Sequence, residues 1–219
     1  MKKNYLWEKV PDRLLLAQWL QKGEIVISET DTICGLLANI TENSIEKLHR
    51  IKKDRGEKPY LILINSIRKL DDFVDTNTLT SQMLNVVKNC WPGPLTIIFK
   101  AKATVPDFLT SKKRTIALRC PKHEGIQELT RNFDGLFSTS ANKSGEKAPQ
   151  RISEIDEDIL EMVSFVISNK NDLTVRKILP SSIIDFSYIN FSSCDKEKNK
   201  LRIIREGAYS RQELEKYYE

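Results

Sequence analysis

Short apolar runs alternate with helix-like segments along almost the whole chain, and this alternation constrains the fold more than any other feature. Runs of four to six mostly apolar, often β-branched residues between polar or glycine residues are typical of strands, and apolar spacings of three and four are typical of amphipathic helices. The pattern predicts strands at 24–28, 60–64, 95–100, 115–119, 165–168, 182–186 and 201–205, and helices at 11–20, 43–52, 67–73, 79–90, 126–132, 153–162 and from 211. Because the two types are intermixed from end to end, we predict one α/β domain, residues 1–219, with a mixed sheet.

The chain shows no sign of membrane insertion or export. Its apolar runs, such as 60–64, are far shorter than the roughly 20 residues that a spanning helix needs. The first eight residues contain two lysines but no apolar stretch of the kind found in signal peptides. We therefore expect a soluble, cytoplasmic protein.

Cysteine and histidine are too sparse and too scattered to indicate a metal centre or a disulfide framework. The 219 residues contain two histidines, His49 and His123, and four widely spaced cysteines: Cys34, Cys90, Cys120 and Cys194. No two cysteines have the close spacing of a zinc site or a redox motif. We expect the cysteines to be small buried hydrophobic residues and predict no protein-bound metal.

Positive charge is concentrated in two windows of the chain. The whole chain has a net charge of +5, whereas residues 50–58 carry +3 and residues 111–123 carry +5, so the remainder is net negative. Focused basicity suits a compact polyanion such as a nucleoside triphosphate, or a local contact with RNA. Ordinary solvated lysines remain the alternative for Lys112 and Lys113.

Hydroxyl, amide and guanidinium groups follow several predicted strands. The run 138–142 is Ser-Thr-Ser-Ala-Asn, which is expected to form a polar loop that either cradles an anion with its N–H groups or is a plain turn. Arg119 and Arg205 each end an apolar run, where a guanidinium can hold phosphate or carboxylate, or can form a surface ion pair. Asn43 and Glu46 resemble a capping box at a helix start.

Seven motif blocks, in this order, resemble the threonylcarbamoyl-AMP synthase family, whose catalytic unit is the YrdC-like domain. The similarity extends over roughly 19–207. The blocks are Glu29-Thr30-Asp31-Thr32-Ile33-Cys34-Gly35-Leu36, Lys53-Asp54-Arg55 with Lys58-Pro59, Trp91-Pro92-Gly93-Pro94-Leu95-Thr96, Leu118-Arg119-Cys120-Pro121, Ser138 to Gly145, Ser181-Ser182-Ile183-Ile184-Asp185, and Arg205-Glu206-Gly207-Ala208.

This resemblance implies both a fold and a reaction. The fold would be a twisted mixed sheet flanked by helices with a concave basic cleft, in a single-domain member whose core spans about 8–208 and ends in a short helical tail. The reaction would join L-threonine, bicarbonate and ATP into L-threonylcarbamoyl-AMP and pyrophosphate, with Mg²⁺ accompanying ATP. A tRNA threonylcarbamoyl transferase complex would then use the product for t6A modification of tRNA, and a direct contact with tRNA or another structured RNA is an open possibility.

The resemblance also implies roles for individual residues. Lys53 and Arg55 would be catalytic and, with Lys58, would contact the ATP phosphates. The rest of ATP would be held by Thr115, Asn142 and Arg205. L-Threonine would be held by Thr32, Arg119, Ser140 and Ser181, with Arg119 pairing with its carboxylate. The chain departs from the family pattern at Glu29, which replaces a proline and would bring a carboxylate near an anion site, and at Cys34, which replaces an aromatic residue and would leave a smaller wall.

Two alternatives remain at this stage. One is an RNA-binding YrdC-like protein without adenylation activity, whose basic face would bind structured RNA. The other is a carbamoyl-adenylating module of hydrogenase maturation. The paired Lys-x-Arg and Ser-x-Asn motifs weigh against the first, and the absence of zinc-ligand cysteine spacing weighs against the second.

Overall fold

All seven predicted strands lie in one sheet in the computed structural model, which describes residues 4–53, 59–170, 178–188 and 200–219. Within these residues the strands are β1 (Asn4–Leu6), β2 (Val26–Ser28), β3 (Gly35–Asn39), β4 (Leu61–Leu63), β5 (Leu95–Lys100), β6 (Thr115–Arg119), β7 (Leu136–Ser140), β8 (Phe165–Ser168), β9 (Ser182–Asp185) and β10 (Arg202–Arg205). The α-helices of the same residues are α1 (Val10–Gln21), α2 (Glu42–Lys52), α3 (Leu70–Phe73), α4 (Ser81–Cys90), α5 (Glu124–Thr130), α6 (Glu157–Met162) and α7 (Arg211–Tyr218).

The sheet is mixed, as predicted. Its order across the described strands is β1-β8-β2-β3-β7-β4-β6-β5-β9-β10. The pairs β1/β8, β2/β8, β4/β6 and β5/β9 are parallel, and the other neighbours are antiparallel. Because β7 lies between β3 and β4, it brings the amino-terminal strands next to β4 and β6, and β6 lies within the second basic window, 111–123.

Two local predictions are wrong, and strand β3 was missed. Strand β3 was not predicted, because its sequence Gly-Leu-Leu-Ala-Asn has little β-branched character, but pairing with β2 and β7 makes it a strand. Residues 138–140 are the end of β7 rather than a loop, and their backbone pairs with β3. The capping box at Asn43 does not form, because the helix cap lies two residues earlier, with the Thr41 side chain accepting a hydrogen bond from the Ser44 N–H.

Alternate residues of the central strands pack against helices on opposite faces of the sheet. Ile62 and Phe137 belong to the larger buried cluster, which also contains side chains of α2, α4 and α7. Their neighbours Leu63 and Leu136 belong to a second cluster, which contains side chains of α1 and α5. Since side chains alternate along a strand, β4 and β7 contribute to both clusters.

The second face is only partly covered by these helices. Helix α1 packs against β1, β2, β3 and β8, and α5 packs against α1. The other half of this face, over β4, β5, β6, β7 and β9, lines a cavity. None of the described helices is long and apolar enough to cross a lipid bilayer.

Candidate active site

A cavity of about 620 Å³ lies over the part of the sheet that α1 and α5 leave open. Residues at a spacing of two line its floor: Thr115, Ala117 and Arg119 on β6, and Thr96 and Ile98 on β5. The residues between them, such as Ile116 and Leu118, are fully buried in the larger core cluster. Because side chains alternate along a strand, one face of these strands packs in the core and the other face lines the cavity.

The cavity brings together seven of the ten predicted site residues, which come from separate parts of the chain. These are Thr32, Thr115, Arg119, Ser140, Asn142, Ser181 and Arg205. Lys53 is exposed and is not among the described lining residues, and Arg55 and Lys58 lie outside the described residues. The roles assigned to all ten stay predictions, and the structure gives the positions of the eight that lie within the described residues.

Arg119 is held at the end of β6 by contacts with two other motif blocks. The residue is 4% exposed, and its Nε donates to the Gly93 carbonyl at 3.1 Å. Its Nη1 donates to the Thr32 hydroxyl at 2.9 Å, and its Nη2 donates to the Asp31 carboxylate at 2.5 Å. The Trp-Pro-Gly-Pro and Thr-Asp-Thr blocks therefore contact the same guanidinium.

A second guanidinium, that of Arg205, lines the cavity from the edge strand β10. It donates from Nε and Nη2 to the Ser181 carbonyl at 3.1 and 2.7 Å, and the Ser181 hydroxyl is also 2.9 Å from that of Thr96. Burial lowers the pKa of Arg205, and the positive charge of Arg119 lowers it further. The cavity is therefore lined by two guanidinium groups, each held by hydrogen-bond partners from another segment of the chain.

The predicted basic character of the cleft stays a prediction. The described lining residues include two arginines, Arg119 and Arg205, but also two carboxylates, Asp31 and Glu146. In addition, Arg114 from the second basic window is used structurally, since its guanidinium donates to the carbonyl oxygens of Lys102 and Val105 at 2.9 Å. Arg114 of that window therefore stabilises the loop that contains Lys102 and Val105.

Lys52 is the residue that the sequence analysis missed. It is 3% exposed, and its Nζ donates to the Ser140 carbonyl at 2.8 Å, to the Asn142 side-chain oxygen at 3.2 Å and to the Asn142 carbonyl. The motif comparison selected its neighbour Lys53 instead. The helical spacing of Leu48, Ile51 and Lys52 could have indicated that Lys52 lies on the buried face of α2.

Hydrogen bonds from Lys52 and from neighbouring backbone groups hold the end of β7 and the segment that follows it. The backbone of 138–140 is engaged with β3, and the Ala141 N–H donates to the Cys34 carbonyl at 3.0 Å. The Asn142 amide donates to the Glu146 and Lys143 carbonyls at 2.7 and 3.0 Å. The sequence predicts a polar loop at 138–142, either an anion cradle or a plain turn; residues 138–140 instead belong to β7, and Ser140 and Asn142 line the cavity.

The two departures from the family pattern lie beside the cavity rather than on its described lining. The Glu29 carboxylate accepts from the Asn169 N–H at 2.8 Å. Cys34 is 1% exposed, its Sγ is 3.4 Å from the Gln150 carbonyl, and burial raises the pKa of its thiol to about 12. Cys34 is therefore a neutral core thiol, as expected; Cys90 and Cys120 are also buried, and Cys194 lies outside the described residues.

Neither histidine is among the described lining residues of the cavity. His123 precedes α5, and its Nδ1 accepts a hydrogen bond from the Ile126 N–H at 3.2 Å. His49 packs beside Tyr60. Within the described residues, no group of three or more His, Cys, Asp or Glu side chains is arranged to hold a metal ion.

Comparison with known proteins agrees with the motif blocks. Residues 18–207 match the Sua5/YciO/YrdC family model, which is described as "Telomere recombination". A putative threonylcarbamoyl-AMP synthase of Methanocaldococcus jannaschii is 33% identical over 93% of this chain and 91% of its own length. A threonylcarbamoyl-AMP synthase of Blochmanniella floridana is 31% identical over 77% of this chain and 93% of its own length.

Among solved structures, the crystal structure of P. abyssi Sua5 complexed with L-threonine superimposes with a TM-score of 0.80. It is 25% identical in sequence, and the match covers 98% of this chain and 59% of the Sua5 chain. The present chain therefore spans about three fifths of that protein.

Proposed function

Because the chain belongs to the Sua5/YciO/YrdC family, we propose that it is an L-threonylcarbamoyladenylate synthase, which converts L-threonine, bicarbonate and ATP into L-threonylcarbamoyl-AMP and pyrophosphate. One observation supports this more than any other. Residues as far apart in sequence as Thr32, Arg119, Asn142 and Arg205 meet on one cavity. Its volume of about 620 Å³ lies within the usual range for small-molecule sites.

The amino acid would be held at the Arg119 end of the cavity. The Arg119 guanidinium would pair with the carboxylate of L-threonine, because planar guanidinium groups bind carboxylates in two-point fashion. Hydroxyl groups of Thr32, Ser140 and Ser181 line the same cavity and would orient the amine and the side-chain hydroxyl. L-Threonine as the ligand is supported by the L-threonine complex of the P. abyssi relative.

The nucleotide would occupy the rest of the cavity. Arg205, Thr115 and Asn142 would contact it, while the predicted phosphate contacts Lys53, Arg55 and Lys58 belong to the segment that follows α2. ATP would enter with Mg²⁺ bound to its phosphates. This fits the side chains described, since magnesium in nucleotide sites is held largely by substrate phosphates and water.

The chemistry requires orientation and charge neutralisation more than a covalent nucleophile. The amine of L-threonine and bicarbonate form a carbamate with loss of water, and a carbamate oxygen attacks the α-phosphorus. The bond between the α- and β-phosphates breaks, and pyrophosphate leaves. Guanidinium groups fixed beforehand by Gly93 and Ser181 can stabilise the charge that develops, because they need little reorganisation during the reaction.

The product would be consumed by a separate transfer reaction. A mixed anhydride of a carbamic acid and AMP is an activated acyl donor, so we propose that a tRNA threonylcarbamoyl transferase complex receives it in the cytoplasm. Direct contact of this chain with structured RNA is an additional proposal. It would appear as RNA binding that weakens steeply with salt and does not depend on ATP.

The decisive experiment measures pyrophosphate release with all three substrates and with each omitted in turn. The product is identified by mass spectrometry. We expect release that requires L-threonine, bicarbonate and ATP, and that falls at least about tenfold in Asn142→Ala, because the amide that anchors the 142–146 turn is lost. Asn89→Ala is the control, because Asn89 is exposed on α4 and bonds to Asn85.

Absence of pyrophosphate release with the complete substrate set would refute the proposed activity. Release that ignores L-threonine would refute the proposed substrate. Thermal unfolding of each variant, measured in parallel, separates a lost fold from a lost activity.

A further inference from the structure

The Arg119 guanidinium in the cavity already has a carboxylate partner from within the chain. The Asp31 and Arg119 side chains are 11% and 5% exposed, and their closest atoms are 2.5 Å apart. The other Asp31 oxygen accepts from the Lys122 N–H at 2.9 Å. Asp31 thus has a partner at each carboxylate oxygen, and the pair is a buried part of the cavity wall.

This arrangement leaves directional hydrogen-bonding capacity on Arg119 but cancels its charge. A guanidinium has five N–H groups, and the contacts with Gly93, Thr32 and Asp31 use one on each nitrogen. In the described structure one N–H on each terminal nitrogen has no such contact, so both nitrogens keep a donor for a ligand oxygen. The net charge of the Arg119–Asp31 pair is zero.

Arg205 differs in this respect. Its described acceptors are the carbonyl and hydroxyl oxygens of Ser181, which are uncharged. The cavity therefore offers two guanidinium groups of unlike electrostatic character: one neutralised by a carboxylate and one with neutral partners. An anion of high charge is attracted to a site whose net charge is positive. A carboxylate with a single negative charge can instead be selected by the geometry of its hydrogen bonds with a guanidinium.

We propose that Asp31 is a specificity residue, which reserves Arg119 for the carboxylate of the amino acid and turns phosphate groups away from it. The proposal rests on the proposed function, since it assumes an amino acid and a polyphosphate on the same cavity. Without the negative charge of Asp31, Arg119 and Arg205 become two uncompensated cations that a polyphosphate can bridge. Phosphate groups then occupy the site of the amino acid.

The test measures competition between two small anions by isothermal titration calorimetry in the absence of ATP. L-Threonine is titrated into the protein with and without inorganic pyrophosphate. In the wild type we expect pyrophosphate to change the dissociation constant of L-threonine less than about twofold. In Asp31→Asn, which keeps the shape of the side chain, we expect pyrophosphate to raise that constant about tenfold.

Asp185→Asn is a closely matched control. The Asp185 carboxylate is also 11% exposed, accepts from a backbone N–H, that of Ser187, and has an arginine partner, Arg202. It is not among the described residues that line the cavity. We expect pyrophosphate to change the dissociation constant of L-threonine in this variant no more than in the wild type. A larger change would reveal a general effect of removing a buried carboxylate.

The possible results separate the two proposals. If the wild type binds L-threonine but pyrophosphate competes with it as strongly as in Asp31→Asn, the specificity role is refuted and the proposed function stands. If the wild type does not bind L-threonine without ATP, the specificity role is refuted, and pyrophosphate release with the complete substrate set decides the proposed function separately. The wild-type arm needs no variant, so competition by pyrophosphate there refutes the specificity role even if Asp31→Asn does not fold.

Discussion

Replacing Lys52 by methionine tests the most unexpected feature of the site. Methionine keeps a long unbranched apolar stem in the same space and removes the ammonium group. The change leaves three oxygen atoms without their donor: the Ser140 carbonyl, the Asn142 carbonyl and the Asn142 amide oxygen. Because Lys52 is 3% exposed, water does not readily replace that donor.

The size of the effect follows from these three contacts. An acceptor that is buried without a partner costs about 1–3 kcal/mol, so three acceptors would cost about 3 kcal/mol or more. Part of this is offset, because a buried ammonium group is itself costly to desolvate. We therefore expect the free energy of unfolding to fall by about 3 kcal/mol, and the melting temperature to fall by roughly 6–12 °C in a chain of this size.

Lys53→Met is the matched control. The same chemical change is made one residue later, at an exposed position beyond the end of α2. We expect a change within about 0.5 kcal/mol. Urea unfolding followed by circular dichroism measures both variants against the wild type.

Two results would refute this reasoning about Lys52. A loss below about 1 kcal/mol in Lys52→Met would mean that the three bonds contribute little. An equal loss in Lys53→Met would mean that the lysine pair acts through general charge rather than through the buried contacts.

Three further predictions concern other parts of the molecule. Gly93→Ala should lower the free energy of unfolding by at least about 2 kcal/mol in urea titrations, because a Cβ there would overlap the Cys90 carbonyl; unchanged stability would contradict this. Burial raises the pKa of the Cys34 thiol to about 12, so this thiol should not react with iodoacetamide at pH 8 in the folded protein but should react in urea. Mass spectrometry measures the labelling, and rapid labelling of the folded protein would show that the thiol is accessible. Burial lowers the pKa of His123, so below about pH 6.5 the unfolded state takes up a proton before the folded state does, and the free energy of unfolding falls with acidification. The variant His123→Asn, whose side chain can still cap α5, should therefore show a flatter dependence of stability on pH between about pH 7 and 5.5. An unchanged pH dependence would exclude this role of His123.

Local patterns in the sequence were sufficient for most of the secondary structure. The strands predicted at 95–100 and 115–119 coincide with β5 and β6, because their apolar residues are dense and partly β-branched. The terminal helix from Arg211 was predicted, and the structure adds a capping box between Ser210 and Glu213. In these segments the local preference and the tertiary environment favour the same conformation.

The errors occurred where pairing partners decide the conformation. Gly35–Asn39 has little intrinsic preference for a strand, and Ser138–Ser140 has the hydroxyl groups that are typical of turns. These two segments pair with each other in the sheet, and this contact spans about 100 residues of sequence. No local signal contains that information.

The sequence by itself determined which chemical groups the chain possesses and the order in which strands, helices and motif blocks occur, because periodicity and motif spacing are properties of neighbouring residues. Tertiary structure decided which of these groups meet. It buried Lys52 rather than Lys53 and placed Asp31 against Arg119, 88 residues away. The physical reason is that burial and ion pairing depend on the order of strands in the sheet, which brings distant segments within hydrogen-bonding distance.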